Sequence, residues 1–510
     1  MNFGCIIDNA VKVWPEKEAL IYGQNRITYS VLESRVNRVA NGLRQLGVGI
    51  GDHVAVLVKN DHRFVETMLG ALRAGASVTP ATTRAHYNTL SHILSDCNAK
   101  VLFSSADFID EAPSLGKNLP NIKQVFLMDT IADGAIEYDE WLNEQSDARV
   151  AENVSSDAIA AVSYTSGSTG KPKGVLLSHA AMVWSTRNLR RALLFGPDER
   201  CLLAVPMFHA NGMFAGLFSM LESGGSTVIL HDVDPVEMIE AIAKERCTYT
   251  TGVPAMYKLM LMEDEALEKN DCSSLSFVIC GSSEVPEELL SEFSERLAPM
   301  LEAYGLTECG FVCNTPRWGI IKQGTTGLPY PDVELRIVDP KSPGVDVSQG
   351  QKGELLVRSP GNLIGYHNLP EITAQRLLPG GWLRTNDIAS ADEQGYIEII
   401  GREDDRIACA GEVFYPKEVE NILMEHQNIA DAAVVPRSDP VKGEVPVAFV
   451  VERVAGNTTP EELKSYFFEN GAPYMHPRII SIMDKLPLTP AKKVDRTALR
   501  EMAETNRLDS

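Results

Sequence analysis

The sequence has no Cys-x-x-Cys pair and no cysteine–histidine cluster at zinc-ligand spacing. Its nine cysteines (Cys5, Cys97, Cys201, Cys247, Cys272, Cys280, Cys309, Cys313 and Cys409) are scattered, which excludes a disulfide framework and the usual structural zinc sites. Reduced thiols are expected, and with them a cytoplasmic location. Residues 1–8 lack a basic start followed by an apolar core, so no secretory leader is expected. Long apolar runs are also missing. The most apolar twenty residues, 202–221, are interrupted by Pro206, His209 and Asn211, which predicts buried core beside a pocket rather than an integral membrane segment. Positive charge is scarce: 47 Lys+Arg stand against 69 Asp+Glu, a net charge of −22. Long-range electrostatics therefore oppose nucleic acid and anionic membranes, and an anionic ligand needs a local site. Repeats and low-complexity tracts are absent. With 44% hydrophobic and 23% charged residues over 510 positions, the chain reads as ordered and divided into two to four domains.

Short β-rich runs alternate with amphipathic stretches from residue 19 to about 230. Residues 54–58 precede a helical pattern over 64–73, residues 101–103 follow, and residues 226–230 precede a helical pattern over 235–243. Such alternation predicts an α/β fold with largely parallel, helix-covered sheets. From 324 to 400 the texture changes to short strands between Gly/Pro/Asp turns, a β-rich subdomain. The charged, turn-prone segment 401–406 then separates a large N-terminal domain (1–400) from a small α+β unit (407–510). In that unit helices are expected over 416–425 and 460–470, and strands over 429–435 and 445–451.

The strongest local signal is Tyr164-Thr-Ser-Gly-Ser-Thr-Gly-Lys-Pro-Lys-Gly174. Small hydroxyl residues and glycines expose consecutive backbone N–H groups that can wrap a phosphate chain, and lysines add charge. By composition alone a surface loop is an equal reading. Gly-x-x-x-x-Gly-Lys-Ser/Thr cannot be placed on any glycine here, Pro172 disfavours helical geometry at Lys171, and 175–177 reads as a strand. The loop is therefore expected to join two strands instead of opening a helix.

Together with Glu302-Ala-Tyr-Gly-Leu-Thr-Glu308, Trp382-Leu-Arg-Thr-Asn-Asp387, Gly401-Arg-Glu-Asp-Asp-Arg406 and Pro487-Leu-Thr-Pro-Ala-Lys-Lys-Val494, taken in this order, the loop resembles the adenylate-forming superfamily of acyl-CoA synthetases, adenylation domains and luciferases. The resemblance spans about residues 9–499. It implies that Thr165, Ser166, Gly167, Ser168, Thr169, Gly170 and Lys173 bind the triphosphate of ATP. It further implies that Gly281, Ser282, Ser283 and Ala303 line adenine, that Tyr304 stacks near it beside Gly305, and that Thr307 contacts the α-phosphate. Thr165 and Glu308 would help hold Mg²⁺. A lone carboxylate beside a hydroxyl at a Gly turn suits an ion that bridges protein and phosphate oxygens, although alone the Thr-Glu pair reads as a helix cap.

By the same resemblance Asp387 accepts from the ribose hydroxyls, with Asn386 where the family has Gly. That exchange is tolerated if Asn386 is left-handed. Arg402 contacts the nucleotide, Asp404 is the pivot of a C-terminal lid, and Gly411 with Glu412 reaches the thiol site. Lys493 is the catalytic lysine, in the register set by Val494-Asp-Arg496, with Lys492 where Gly is usual. His209 lies between acyl group and thiol entry. The acyl pocket is expected from His209, Asn211, Met213, Phe214, Phe311 and Val312. The stretch 209–213 offers no acidic partner for an α-ammonium group, which favours a plain carboxylic acid.

The resulting expectation is an ATP-dependent acid–thiol ligase using ATP, Mg²⁺ and CoA on an aryl, alicyclic or medium aliphatic monocarboxylate. A stand-alone adenylation enzyme loading a carrier protein, or an inactive nucleotide-binding protein, is the alternative. The presence of Glu308, Asp387 and Lys493 weighs against the last. A homo-oligomer is compatible with every feature above.

Overall fold

The structure, a computed structural model, describes residues 1–165, 172–283, 285–409, 412–489 and 494–505. The chain forms two compact units, one from Met1–Leu335 and Val357–Leu383, the other from Arg336–Leu356 and the chain from Arg384 onward. The expected hinge 401–406 lies inside the second unit.

The first unit holds two large sheets. One has nine strands in the order Leu328–Pro329, Gly310–Asn314, Met300–Leu306, Phe277–Gly281, Tyr249–Gly252, Arg200–Leu203, Ser226–Ile229, Glu18–Tyr22 and Asn25–Thr28. Its central strands, from Met300–Leu306 to Glu18–Tyr22, are parallel. The other has eight, in the order Gly365–Tyr366, Lys173–Ser178, Ile159–Thr165, Ser77–Pro80, His53–Leu57, Ala99–Ser104, Gln124–Leu127 and Ile136–Glu137. Parallel strands buried on both faces read as nearly continuous apolar runs, as Phe277–Gly281 does with every residue buried.

Helix His62–Arg73 is buried along its whole length and packs against strands of both sheets. A helix so placed must be apolar all round or have its polar groups paired. Here they are paired: Glu66 receives Arg35 and His62 at 2.7 Å and the Tyr138 hydroxyl at 2.9 Å, and Arg73 meets Glu33 at 2.6 Å and Asp8 at 3.0 Å. All nine cysteines are free. Among the described residues no helix is long and apolar enough to cross a membrane.

The expected α/β architecture, β-rich subdomain and small C-terminal unit are all present. The β-rich segment forms a six-stranded sheet that includes Glu334–Asp339, Gly353–Arg358, Trp382–Ala391 and Ile397–Arg402. In the second unit, strands Ile429–Asp439 and Gly443–Glu452 pair antiparallel, and Ile479–Met483 adds in parallel. Val434 faces one cluster with Leu423, Leu463 and Phe467, whereas Ala433 and Val435 face another with Leu499 and Ala503. This two-residue alternation requires a helix on each face. Pro416–Met424 and Pro460–Asn470 cover the first and Arg496–Glu504 the second.

Candidate active site

The two ends of the glycine-rich loop are strand ends. Ile159–Thr165 and Lys173–Ser178 run antiparallel, with Thr165 opposite Lys173, so the loop joins two strands as its sequence requires. Thr165 and Lys173 are half-buried. Ser166, Gly167, Ser168, Thr169 and Gly170 lie outside the described residues, as do Gly411 and Lys493.

The Tyr304–Glu308 element begins in strand Met300–Leu306 and ends in the turn before Gly310–Asn314. It is a strand–turn, not a helix cap. The Glu308 Oε1 accepts the Tyr366 hydroxyl at 2.9 Å, and its carbonyl accepts the Leu363 N–H at 2.7 Å. Tyr366 sits opposite Val175 in the short strand Gly365–Tyr366, and the His367 N–H donates to the Gly174 carbonyl at 2.7 Å. One hydroxyl thus ties the Thr307–Glu308 turn to the strand that carries Lys173, two residues away. Removal from water pushes the Tyr366 phenol well up, and the Glu308 charge pushes it in the same direction, so it remains a donor at neutral pH. The sequence offered no signal for Tyr366: a two-residue strand takes its conformation from its partner.

Gly281 ends strand Phe277–Gly281 at the carboxyl edge of the sheet, where open α/β sheets place ligands. A Cβ here would lie 2.3 Å from the Ala303 carbonyl oxygen, so only glycine allows the strand carrying Ala303 and Tyr304 to approach. Ser282 follows with φ 67°, and Ser282 and Ser283 are exposed. Tyr304 is half-buried and Gly305 exposed.

Beyond Arg200–Leu203, residues 206–209 form a turn with His209 exposed and its ring 4.3 Å from that of Phe208. Asn211–Phe218 continues as a π-helix, a form concentrated at functional sites. Its start needs a glycine: a Cβ on Gly212 would meet the Pro206 oxygen at 2.5 Å. Asn211 accepts the Thr251 hydroxyl and donates to the Gly252 carbonyl at 3.4 Å, fixing the π-helix to the end of Tyr249–Gly252. Met213, Phe214 and Val312 are buried, whereas Asn211 and Phe311 are half-buried.

Asn60, unremarked in the sequence, is 4% exposed. Its amide donates to the carbonyls of Ala204, Val205 and Leu230 at 3.2, 3.0 and 3.1 Å, and its oxygen accepts the Met207 N–H at 2.9 Å. It holds the entry to the His209 turn from the loop after His53–Leu57.

In the second unit Asp387 lies opposite Arg402 in register, with Arg402 Nε 3.5 Å from its carboxylate. Asn386 has φ 60°, the left-handed conformation that makes Asn acceptable in place of Gly. Asp404 is exposed in a 3-10 turn, Glu403–Asp405. Its neighbours are tied down: Glu403 to Arg406 at 2.8 Å and Tyr415 at 3.1 Å, and Asp405 to Arg500 at 2.8 Å. Glu412 is exposed at the start of strand Glu412–Phe414.

Two family profiles match the chain, AMP-binding enzyme over residues 7–367 and AMP-binding enzyme C-terminal domain over 418–493. A feruloyl-CoA synthase from Amycolatopsis is 34% identical over 489 residues, covering 95% of this chain and 96% of the relative. An indoleacetate–CoA ligase from Aromatoleum aromaticum is 33% identical over 500 residues, 97% of each chain. The crystal structure of the anthranilate CoA ligase AuaEII in complex with anthranoyl-AMP superposes with a TM-score of 0.90 at 26% identity, covering 99% of this chain and 97% of that one. The chain belongs to the AMP-binding enzyme family and is an adenylate-forming enzyme of the acyl-CoA synthetase type.

Proposed function

We propose that the enzyme joins a monocarboxylic acid, aryl, alicyclic or medium aliphatic, to the thiol of CoA. The acid carboxylate attacks the α-phosphate of ATP, and the bond to the β-phosphate breaks to release pyrophosphate. The thiol sulfur then attacks the acyl carbon, AMP leaves with the electron pair, and the thiol proton passes to solvent. Adenylation replaces a poor leaving group, the carboxylate oxygen, with AMP held in a mixed acyl-phosphate anhydride, so catalysis is mainly charge neutralisation and in-line placement.

In this reading the loop from Thr165 to Lys173 cradles the β- and γ-phosphates, and Thr307 and Lys493 meet charge developing on the α-phosphate. Gly281, Ser282, Ser283, Ala303, Tyr304 and Gly305 hold adenine, while Asp387 and Arg402 bind ribose and nucleotide. His209, Gly411 and Glu412 border thiol access, and Asp404 is the pivot. Thr165 and Glu308 would hold Mg²⁺, which when bound neutralises phosphate charge. The donor set suits that ion: one carboxylate and one hydroxyl leave most positions to phosphate oxygens and water, and among the described residues no group of three or more His, Cys, Asp or Glu side chains could hold a metal ion.

The observation that carries the reading is the Tyr366–Glu308 hydrogen bond, which couples the Thr307–Glu308 turn to the strand of Lys173. The acid class follows from the mostly apolar candidates at 209–214 and 311–312, and from the feruloyl, indoleacetate and anthranilate relatives, all aryl acids by name. A cytoplasmic location is proposed on the nine free cysteines. Incubation with ATP, Mg²⁺ and a panel of acids should release pyrophosphate and AMP only when an acid is supplied. Monocarboxylates should exceed dicarboxylates and amino acids in kcat/KM. Appearance of ADP would overturn the mechanism, because attack would then fall on the γ-phosphate.

A further inference from the structure

A loop that must meet phosphate oxygens is only as well placed as the two strand ends that carry it. Tyr164, the residue before Thr165, lies opposite Gly174, the residue after Lys173. Contacts from both of them lead to Asp96, the last residue of helix Tyr87–Asp96. The Tyr164 hydroxyl donates to Asp96 Oδ2 at 2.6 Å. The Gly174 carbonyl accepts the His367 N–H at 2.7 Å, and His367 Nε2 donates to the Asp96 carbonyl at 3.0 Å. A Cβ on Gly174 would lie 3.1 Å from the Tyr164 ring and from His367 alike, so both side chains close directly on that strand. The other carboxylate oxygen, Asp96 Oδ1, accepts the Asn368 amide at 3.3 Å, two residues beyond the tyrosine that holds Glu308.

An acid in the last turn of a helix works against the helix dipole, so the place of Asp96 is set by what it accepts. A phenol on a carboxylate is a charge-assisted bond with a narrow preferred geometry. Tyr164 is half-buried, with its ring against the apolar cluster of Leu94 and Cys97. Removal from water pushes its phenol far up, and the bond to Asp96 pushes the same way, so the hydroxyl stays a donor at neutral pH.

We propose that Asp96 is a positioning residue for the first half-reaction: through Tyr164 and His367 it fixes the two strand ends from which the loop between Thr165 and Lys173 meets the β- and γ-phosphates of ATP. This role rests on the reading that the loop cradles those phosphates. It has a consequence that general structural support would not have. The β- and γ-phosphates leave as pyrophosphate, and attack of the thiol on acyl-adenylate involves neither of them. Loss of Asp96 therefore damages adenylation and leaves thioester formation largely intact.

The test is single-turnover measurement of each half-reaction in Asp96→Ala, Tyr164→Phe and the double variant. Asp96→Ala should lower kcat/KM for ATP in adenylation by about tenfold or more, the usual cost of a hydrogen bond to a charged group. Thioester formation from synthetic acyl-adenylate and CoA should stay within about threefold of native, since a misplaced group costs rate only in the step that uses it. Tyr164→Phe should cost adenylation severalfold in the native background and little once Asp96 is alanine, because the shared bond is already gone. Thermal melting identifies the folded variants; if Asp96→Ala is not among them, Tyr164→Phe, which keeps the ring in the apolar cluster, carries the same comparison of half-reactions. Equal losses in both half-reactions, no loss in either, or additive effects in the double variant overturn the role of Asp96 while leaving the ligase reading intact. Pyrophosphate release by the native enzyme with no acid of the wider panel would instead overturn the ligase reading, and the role of Asp96 with it.

Discussion

Tyr366 donates the hydrogen bond that orients the Glu308 carboxylate, so its hydroxyl matters in proportion to how strictly Glu308 must be placed. Tyr366→Phe keeps the ring and removes the donor. It should lower kcat/KM for ATP by roughly tenfold, the equivalent of about 1.4 kcal/mol for a hydrogen bond to a charged group, with little change in melting temperature. Steady-state pyrophosphate release at varied ATP checks this. Asn60 is the contrasting case. Asn60→Ala strips partners from three buried carbonyls and one N–H, and unsatisfied buried groups cost about 1–3 kcal/mol each before relaxation. A net loss near 3 kcal/mol in chemical denaturation is expected. Lys493→Ala should slow adenylation by about 10²–10³-fold, the usual cost of losing a transition-state donor, and synthetic acyl-adenylate should bypass the block. If Lys492→Ala shows that behaviour instead, the register of the C-terminal motif is off by one.

Helix His179–Leu193 carries a pH-dependent tether at its first residue. His179 is buried, and its Nδ1 accepts the Phe3 N–H at 3.0 Å, which requires the neutral ring. Removal from water pulls its pKa from 6.5 down to about 4. The unfolded chain therefore binds the proton first as pH falls, and stability contributed by neutral His179 is present above about pH 6.5 and is lost progressively down to about 4. The loss is on the order of 2–3 kcal/mol by linkage. Denaturation midpoints for the native protein and His179→Gln should diverge at neutral pH and converge toward pH 4. The elements themselves were unequally legible. The strand–loop–strand at the phosphate loop and the strand–helix alternation follow from periodicity and turn residues, which act locally. The strand Gly365–Tyr366 and the π-helix Asn211–Phe218 do not. The first exists through its pairing with Val175 and Leu176. The second exists because Gly212 admits the Pro206 oxygen and because the Tyr249, Thr227 and Ser219 hydroxyls donate to its carbonyls. Asn60 carries no local sequence signal for the same reason: its four partners are distant in sequence. The candidate residues at 304–308 and 386–387 could be named from motif order, but their positioning partner Tyr366 could not.

At the scale of the whole chain a net charge of −22 opposes a tetra-anionic nucleotide, so the phosphate-binding role proposed for the loop from Thr165 to Lys173 requires a local site that acts against the general field. Two reactions then share one active site, and proposing Asp404 as the pivot assigns the change between them to the segment 401–406. Its surroundings suit that assignment: Glu403 and Asp405 are anchored by Arg406, Tyr415 and Arg500, while Asp404 between them is exposed. Proline at 404 fixes φ near −65°. Position 404 lies in the first turn of a 3-10 segment, where proline is compatible with the observed state, so Asp404→Pro should fold and should adenylate within about threefold of the native rate. Thioester formation from preformed acyl-adenylate and CoA should fall much further, by tenfold or more, because conformational steps of this kind gate turnover. Single-turnover measurement of each half-reaction separates the two. Equal losses in both would remove Asp404 as the pivot and move the change of state to another part of the chain.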